Sequence, residues 1–378
     1  MDLGTNTSLA MEQFLDAEGE VIKKLPAWVS NEETLIDYYR TMVIARQADQ
    51  KAVALQRTGK MGTYPSCLGQ EAISSVCAAL LEKEDVLIPY YRDLPGLMRR
   101  GISLSDVMLY WGGDERGSAS AAWGQDLPNC VPIATQAGHA AGIATAIKIR
   151  HEAGDPLQVA LCALGDGATS KGDFGEALNL AGAWQLPVVY IINNNQWAIS
   201  VPRKIQSGAP TLAQKGLAAG LPSYQVDGND VIALHEVVSA AIDRARQGKG
   251  ATVIEAVSYR LCDHTTADDA SRYRASEELK DAWQQEPIKR LRNFLHHRGW
   301  WDERKEQALK EEADGIIEQA VETYLNTPLP AIEDLFDYHY ANMPAQLEQQ
   351  KNEALARELT RKKLRQESMK SAGGHLNG

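Results

Sequence analysis

The sequence predicts a doubly wound, mostly parallel α/β sheet with a helical C-terminal extension, on three observations. Short apolar runs, of the kind a strand covered on both faces requires, alternate with helical stretches along most of the chain. The clearest unit, VALCALGDGATSKGDFGEALNLAGAWQLPVVYIINNNQWAIS over 159–200, reads as strand, Gly-Asp-Gly turn, helix, strand and asparagine cluster. A crossover of that length makes its two strands parallel, so both finish at one sheet edge. Beyond residue 274 the periodicity is helical only.

Each element has its own local reason. Residues 1–29 show little periodicity and are expected to form an arm or a loosely packed lead-in. Ser30 to Glu33 reads as a capping box opening a helix to about Ala54, with Ile36, Tyr39, Met42 and Val43 on one face. Gly69–Leu81 is a second helix, packed through small residues. Val86–Pro89 is a short strand that ends in Tyr90-Tyr91-Arg92-Asp93. Ser103 caps a helix that stops before Gly112. Asp114–Asn129 is a Gly-, Ser- and Ala-rich loop, Val131–Ala134 a strand, and Ala137–His151 a small-residue helix. Within the central unit, Val159–Leu164 and Val188–Ile192 are strands, and Phe174–Leu186 is a helix that Pro187 stops. Tyr224–Val226 is a further strand and Asp227–Gln247 an amphipathic helix. Thr252–Ser258 is the last core strand. Helices follow over 276–285, 287–298 and 302–327. From about Gln346 the chain is rich in Gln, Lys and Glu, and its final residues, SAGGHLNG, have a disordered composition. This divides the chain into an arm (1–29), an α/β domain (30–330) and an extension with a flexible tail (331–378).

Composition excludes more than it selects. A net charge of −11 argues against sequence-independent binding to nucleic acid. The five cysteines are odd in number and none forms a Cys-x-x-Cys pair, which fits a reducing, cytoplasmic setting rather than a disulfide framework. No apolar run reaches the length of a membrane span, and the first residues lack a signal-peptide pattern.

The chemistry concentrates where the central strands end. Asp166 and Asn195, 29 positions apart, are hard oxygen donors of the type Mg²⁺ prefers, delivered to one crevice. Glycines flank Asp166, so backbone amides approach an anion closely, and the helix starting near Asp173 offers unpaired N–H groups. Together these describe a cradle for a magnesium diphosphate. A dinucleotide fingerprint is excluded by Ser170 at its last glycine position, and no Gly-Lys-Ser/Thr of a P-loop is present. Taken alone, Gly-Asp-Gly is a tight turn; its pairing with the asparagine cluster across one crossover is what gives it chemical meaning.

The stretch resembles the thiamine diphosphate enzymes, whose motif runs from Gly-Asp-Gly across a crossover to Asn-Asn; here 26 residues separate Gly167 from Asn194. It is closest to the alpha subunit of the decarboxylase component of 2-oxo acid dehydrogenase complexes, nearest the pyruvate dehydrogenase type. LGQEA (68–72), YYRDLPG (90–96), VDGND (226–230), HTTADDASRYR (264–274) and EPIKRLRNFL (286–295) carry the resemblance over about 30–340. It implies the thiamine diphosphate-binding fold and oxidative decarboxylation of a small 2-oxo acid, with acyl transfer to a lipoyl-lysine. It implies Mg²⁺ on Asp166, Asn195 and the Trp197 carbonyl. Gly167 and Ala168 line the diphosphate, and Tyr91 and Arg92 hydrogen-bond it. Val131 and Ile133 contact the aminopyrimidine through their backbone, Arg260 contacts the cofactor, and His264 touches the cofactor and supports acyl transfer. Asp263, Asp268, Asp269, Arg272 and Arg274 order the His264 loop through ion pairs and hydrogen bonds. The bland alternatives are a surface ion pair of Arg92 with Asp93 and a solvent-exposed loop histidine at 264.

The resemblance also implies partners. In two-chain relatives a glutamate of the beta subunit activates the cofactor, so the chain is expected to work in an α₂β₂ heterotetramer with a lipoyl-bearing acyltransferase. The helix Gly138–Ile147 is either a close-packing interface or internal helix–sheet packing. TYPSCLGQEA lacks the histidine that some pyruvate-specific relatives carry, and with Tyr64 and Ser66 there the substrate stays open. A branched-chain 2-oxo acid or acetoin dehydrogenase alpha subunit, a non-catalytic subunit and a magnesium-dependent nucleotide hydrolase are the alternatives. Thr265 stands where mitochondrial relatives carry a regulatory phosphoserine, and kinase regulation is not inferred from it.

Overall fold

The computed structural model describes residues 9–151 and 156–373, the side chains of 365–373 excepted. Eight strands are present among the described residues: β1 (Met11–Glu12), β2 (Val86–Ile88), β3 (Ala160–Gly165), β4 (Val188–Asn194), β5 (Trp197–Ala198), β6 (Val201–Pro202), β7 (Ser223–Asp227) and β8 (Thr252–Val257). Six form one all-parallel sheet in the order β1-β7-β8-β4-β3-β2, while β5 and β6 make a small antiparallel ribbon. The register of β3 on β4 sets Gly165 opposite Asn193, so both strands release their chains at the same edge.

Helices cover both faces, as continuous apolar strands require. Leu87, Leu161, Val189, Ile191, Val226 and Ile254 face a core with the helices Glu32–Arg57, Glu71–Ala79, Val231–Arg246 and Pro287–His297. Alternate residues of the same strands, among them Cys162, Leu164, Tyr190 and Ile192, face the helices Thr135–Arg150 and Gly172–Ala183. In Thr135–Arg150, Ala137, Ala140, Ala141 and Ala144 are fully buried against the sheet, and the small residues permit that close approach. The expected doubly wound sheet is what the chain forms.

Three details differ from the sequence reading, while the helical C-terminal extension is as expected. The lead-in is not loose where it is described: β1 pairs with β7, and Phe14 and Leu15 are buried. Residues 1–8 of it lie outside the described residues. The first long helix is capped by Asn31, whose side chain accepts from the Glu33 N–H at 3.1 Å, because Ala27–Ser30 is already wound into a 3₁₀ turn. Val131–Ala134 is not a strand: Pro132 removes a ladder donor and Ala134, at φ +71°, turns the chain directly into the next helix. The Gln-, Lys- and Glu-rich stretch is a helix, Ala345–Gly373; of the expected disordered end, residues 374–378 lie outside the described residues. By compactness the chain divides between Leu325 and Asn326. The second unit contains that long helix and the short Asp334–Asp337 helix, bridged by Lys351 and Asp337 at 2.5 Å.

Asp230, in the VDGND stretch, ties the lead-in to the sheet. One carboxylate oxygen accepts the backbone N–H groups of Phe14 (2.6 Å) and Leu15 (2.8 Å). The other caps the Val231–Arg246 helix through Ile232 (2.9 Å) and Ala233 (3.2 Å). Asp230→Ala leaves four backbone donors without this acceptor and should cost about 2–4 kcal/mol, read as a lower urea midpoint at unchanged slope.

Candidate active site

A crevice opens where β3 and β4 end, lined by Tyr91, Arg92, Asp166, Asn195, Trp197 and His264 among others. The Asp166–Ser170 segment is a 3₁₀ turn. Thr169 Oγ1 and Gln206 Nε2 bond the Asp166 carbonyl at 2.8 and 2.7 Å, and Lys215 Nζ holds the Thr169 carbonyl at 2.6 Å. The turn separates the crevice from the Gly172–Ala183 helix, whose first residues do not line it. This part of the crevice wall is therefore formed by the turn, and the helix N-terminus that the spacing suggested does not line it. Space at Gly167 is tight: a Cβ there would stand 3.0 Å from the Ala198 Cβ.

Asp166 is 2 % exposed and its Oδ2 has no hydrogen-bond partner. Burial raises its pKa to about 6, opposed by the Gly167 N–H and the charges of Arg260 and Arg203. A buried carboxylate oxygen without a donor is costly unless a cation completes it.

The three asparagines have distinct buried partners. Asn193 Nδ2 donates to the Tyr90 hydroxyl (2.7 Å) and Asn194 Nδ2 to Glu255 (2.6 Å), while Asn195 alone of the three lines the crevice. Asn195 Oδ1 accepts from the Trp197 N–H at 3.2 Å, and the Trp197 carbonyl accepts from Arg260 at 3.4 Å. One carboxylate, one amide oxygen and one carbonyl form a hard, oxygen-only donor set. It suits a divalent cation that keeps water and phosphate in its remaining positions. Among the described residues no group of three or more His, Cys, Asp and Glu offers a metal cluster elsewhere.

Opposite stand two guanidiniums and an imidazole. Arg92 is buried and donates to the Ser66 carbonyl and the His264 carbonyl, both at 2.6 Å. It forms no ion pair with Asp93, whose carboxylate instead accepts the Tyr90 N–H at 3.0 Å, and whose pKa burial raises to about 8. Arg260 is fully buried behind the crevice and donates to the Ile199 carbonyl (2.9 Å) and the Tyr273 hydroxyl (2.7 Å). His264 Nδ1 lies 3.0 Å from Arg92 Nη2 and 3.5 Å from Arg260 Nη1. Guanidinium groups only donate, so Nδ1 is an acceptor and the neutral ring carries its proton on Nε2. Burial, then the two arginine charges, lower the His264 pKa to about 4.

The His264 loop is ordered by hydrogen bonds to backbone. Asp268 takes the His264 N–H (2.8 Å), Asp263 the Ala270 N–H (2.9 Å), and Arg274 donates to the Arg260 carbonyl (2.5 Å). No ion pair joins the charged side chains of the loop among the described residues, which corrects that part of the expectation; Asp263, Asp268, Asp269 and Arg274 reach backbone groups instead.

Of the residues singled out from sequence, the structure brings Tyr91, Arg92, Ile133, Asp166, Gly167, Ala168, Asn195, Trp197 and His264 to the crevice wall. Val131 is not in the wall, and Arg260 stands behind it. Ala134, Gln136, Ala198 and Ile199 line the wall without having been anticipated, since nothing in their local pattern marks them. Tyr64 and Ser66 turn inward, donating to buried Asp49 at 3.0 and 2.5 Å, so neither side chain is part of the wall.

The depressed His264 pKa sets a sign. The unfolded chain, with histidine at its ordinary 6.5, binds more protons than the folded one between about pH 4 and 6.5, so His264 makes folding less favourable as pH falls through that window. Relative to wild type, His264→Gln should gain urea midpoint as pH falls from 6.5 to 4.5, because the lowered pKa of His235 and the raised, oppositely acting pKa values of Asp93 and Asp166 are common to both proteins.

Residues 39–333 match the family described as the dehydrogenase E1 component. A pyruvate dehydrogenase E1 component subunit alpha from Acholeplasma laidlawii is 42% identical over 342 residues, covering 89% of this chain and 97% of the relative. A 3-methyl-2-oxobutanoate dehydrogenase subunit alpha from Mycobacterium tuberculosis is 42% identical over 331 residues, covering 87% and 89%. A pyruvate dehydrogenase E1 component subunit alpha from Staphylococcus aureus is 37% identical over 347 residues, covering 92% and 93%. With a crevice of this chemistry at the end of a parallel sheet, and relatives matched along nearly their whole length, the chain belongs to the dehydrogenase E1 component family.

Proposed function

We propose that this chain is the alpha subunit of a thiamine diphosphate-dependent 2-oxo acid dehydrogenase that decarboxylates a small 2-oxo acid and passes the acyl group to a lipoyl-lysine. The observation that carries the reading is the partnerless, buried Asp166 Oδ2 in the same crevice wall as Asn195, with Arg92 and His264. Asp166, Asn195 Oδ1 and the Trp197 carbonyl would hold Mg²⁺. Gly167 and Ala168 would line the diphosphate, with Tyr91 and the Arg92 charge beside it. Bound there, thiamine diphosphate supplies the carbanion stabilisation that loss of CO₂ from a 2-oxo acid requires.

The protein groups around it have separate tasks. Arg92 both neutralises anionic charge and fixes the His264 ring through Nδ1 and the backbone carbonyl. That leaves His264 Nε2–H as a donor, neutral throughout the physiological range, to bind a developing oxyanion or thiolate during acyl transfer. Ile133, Trp197 and Ile199 contribute apolar wall.

The partner is a beta subunit in an α₂β₂ assembly. Asp166 is the one carboxylate in the crevice wall among the described residues, and a metal ligand is not free to move protons. Val131, Ile133, Ile199, Val201 and Ile205 are exposed, a set of apolar side chains suited to a second chain. Five free cysteines fit a reducing cytoplasm. Pyruvate is the preferred substrate reading, and a branched-chain 2-oxo acid is the alternative, because relatives of both names stand at the same 42% identity.

Reconstitution with the beta subunit, titrating thiamine diphosphate and Mg²⁺ while following CO₂ release from several 2-oxo acids, tests the reading; absence of cofactor binding would sink it. Asp166→Ala should abolish Mg²⁺-dependent cofactor binding at a little-changed unfolding midpoint, since it removes a buried charge whose Oδ2 has no hydrogen-bond partner. His264→Ala should reduce lipoyl acylation at least tenfold more than decarboxylation measured with an artificial oxidant. Equal losses in the two assays would contradict the assigned role.

A further inference from the structure

The LGQEA stretch does not line the crevice, yet it contacts Asn195 from behind the wall. Gly69 adopts φ +90°, and a Cβ there would lie 2.4 Å from the Tyr259 carbonyl oxygen, so only glycine brings the loop this close. Glu71 holds it in place: one oxygen accepts the Gly69 N–H at 3.0 Å, and the other pairs with Arg46 at 2.7 Å. Arg46 in turn pairs with Glu286 at 2.7 Å. The residue that this clamp delivers is Gln70, only 2 % exposed.

Gln70 Oε1 accepts from Asn195 Nδ2 at 3.1 Å and from the Tyr90 hydroxyl at 2.9 Å. The Tyr90 hydroxyl accepts in turn from Asn193 Nδ2 at 2.7 Å. The direction of these bonds is fixed at one end by a group that cannot reverse. The Trp197 N–H only donates, and it lies 3.2 Å from Asn195 Oδ1, so that atom is the oxygen and its partner Nδ2 faces Gln70. An asparagine amide has two orientations, and the wrong one would turn an NH₂ group toward a cation.

We propose that Gln70 is a positioning residue for the metal: by accepting from Nδ2, it locks the Asn195 amide with its oxygen toward the cation. One lone pair of Oδ1 serves the Trp197 N–H and the second is left for the metal. This inference rests on the reading of Asp166 and Asn195 as the Mg²⁺ site, and it gives the LGQEA stretch a stated role in that site.

The test uses the assembled α/β enzyme with thiamine diphosphate and Mn²⁺ as the probe, free Mn²⁺ being followed by electron paramagnetic resonance. Gln70→Met, of similar length without the acceptor, should raise the Mn²⁺ dissociation constant about ten- to hundredfold, the range for losing an outer-shell partner. Gln70→Glu keeps an acceptor oxygen and should stay within about threefold of wild type. Together with Asn195→Asp, in which either side-chain oxygen can face the metal, Gln70→Met should add less than about threefold. Wild-type affinity in Gln70→Met, equal losses in the Met and Glu variants, or the same penalty on the Asn195→Asp background would each overturn the proposal. If Gln70→Met does not assemble, Gln70→Asn, too short to reach Asn195, makes the same comparison. Failure of the wild-type enzyme to take up Mn²⁺ would instead refute the underlying site, a result distinct from all of these.

Discussion

The parallel pairing of β3 with β4 is the constraint from which the site follows. Because Gly165 lies opposite Asn193, the Asp166 turn and the Asn195 turn begin at the same level of the sheet. A one-residue slip would turn every side chain of one strand to the other face. Were β4 to slip, Tyr190 and Ile192 would exchange places with Val189 and Ile191, and the two cores would no longer match their helices. Apolar packing on both faces thus sets the geometry of two polar groups that make no contribution to it.

The edge so created is densely polar and almost wholly buried, which has a consequence for rigidity. Asn193, Asn194 and Asn195 are each at most 4 % exposed, and each amide has a specific partner. Ser258 closes the set by donating to Asn193 Oδ1 at 3.0 Å. Buried polar networks of this kind admit few alternative arrangements, because breaking one bond leaves a donor or acceptor with no water to replace it. Two buried polar atoms at this edge are left without a partner, Gln70 Nε2 and Asp166 Oδ2, and of these residues only Asp166 lines the crevice. Its place in the crevice wall is what makes the Asp166 oxygen, rather than the Gln70 nitrogen, available to a ligand.

The sheet, its two covered faces and the Asp166–Asn195 pair were legible because they are written in local apolar runs and in a single crossover. The His264 loop was legible only through resemblance, for HTTADDASRYR has no periodicity and its order comes from bonds to distant backbone. Misreadings arose where tertiary context decides. Val131–Ala134 has strand-like residues, but Pro132 and the left-handed Ala134 take it out of the sheet. Ser30 has the right chemistry to cap, but Asn31 stands one residue closer to the helix. Gln70 was visible as a residue of a motif and invisible as a partner, since its bond to Asn195 spans 125 positions.

The charge around His264 bears on what this half of the site is able to do alone. Two guanidiniums flank the imidazole, and Asp268, the one acidic group acting on it, is held by the backbone N–H of the same residue. Such an environment favours a neutral ring and disfavours its protonation, so His264 is suited to donate a hydrogen bond and poorly suited to act as a base that becomes cationic. Asp166, if it holds a metal as proposed, would be no better placed to accept a proton. Chemistry that begins by removing a proton therefore needs a base that the crevice wall of this chain does not contain. The exposed apolar side chains of Ile133, Ile199 and Val201 are where a second chain would bring one. Under the proposed function, the chain's own residues would secure the anionic end of the cofactor and the exit of the acyl group, and the initiating proton transfer would fall to a beta subunit.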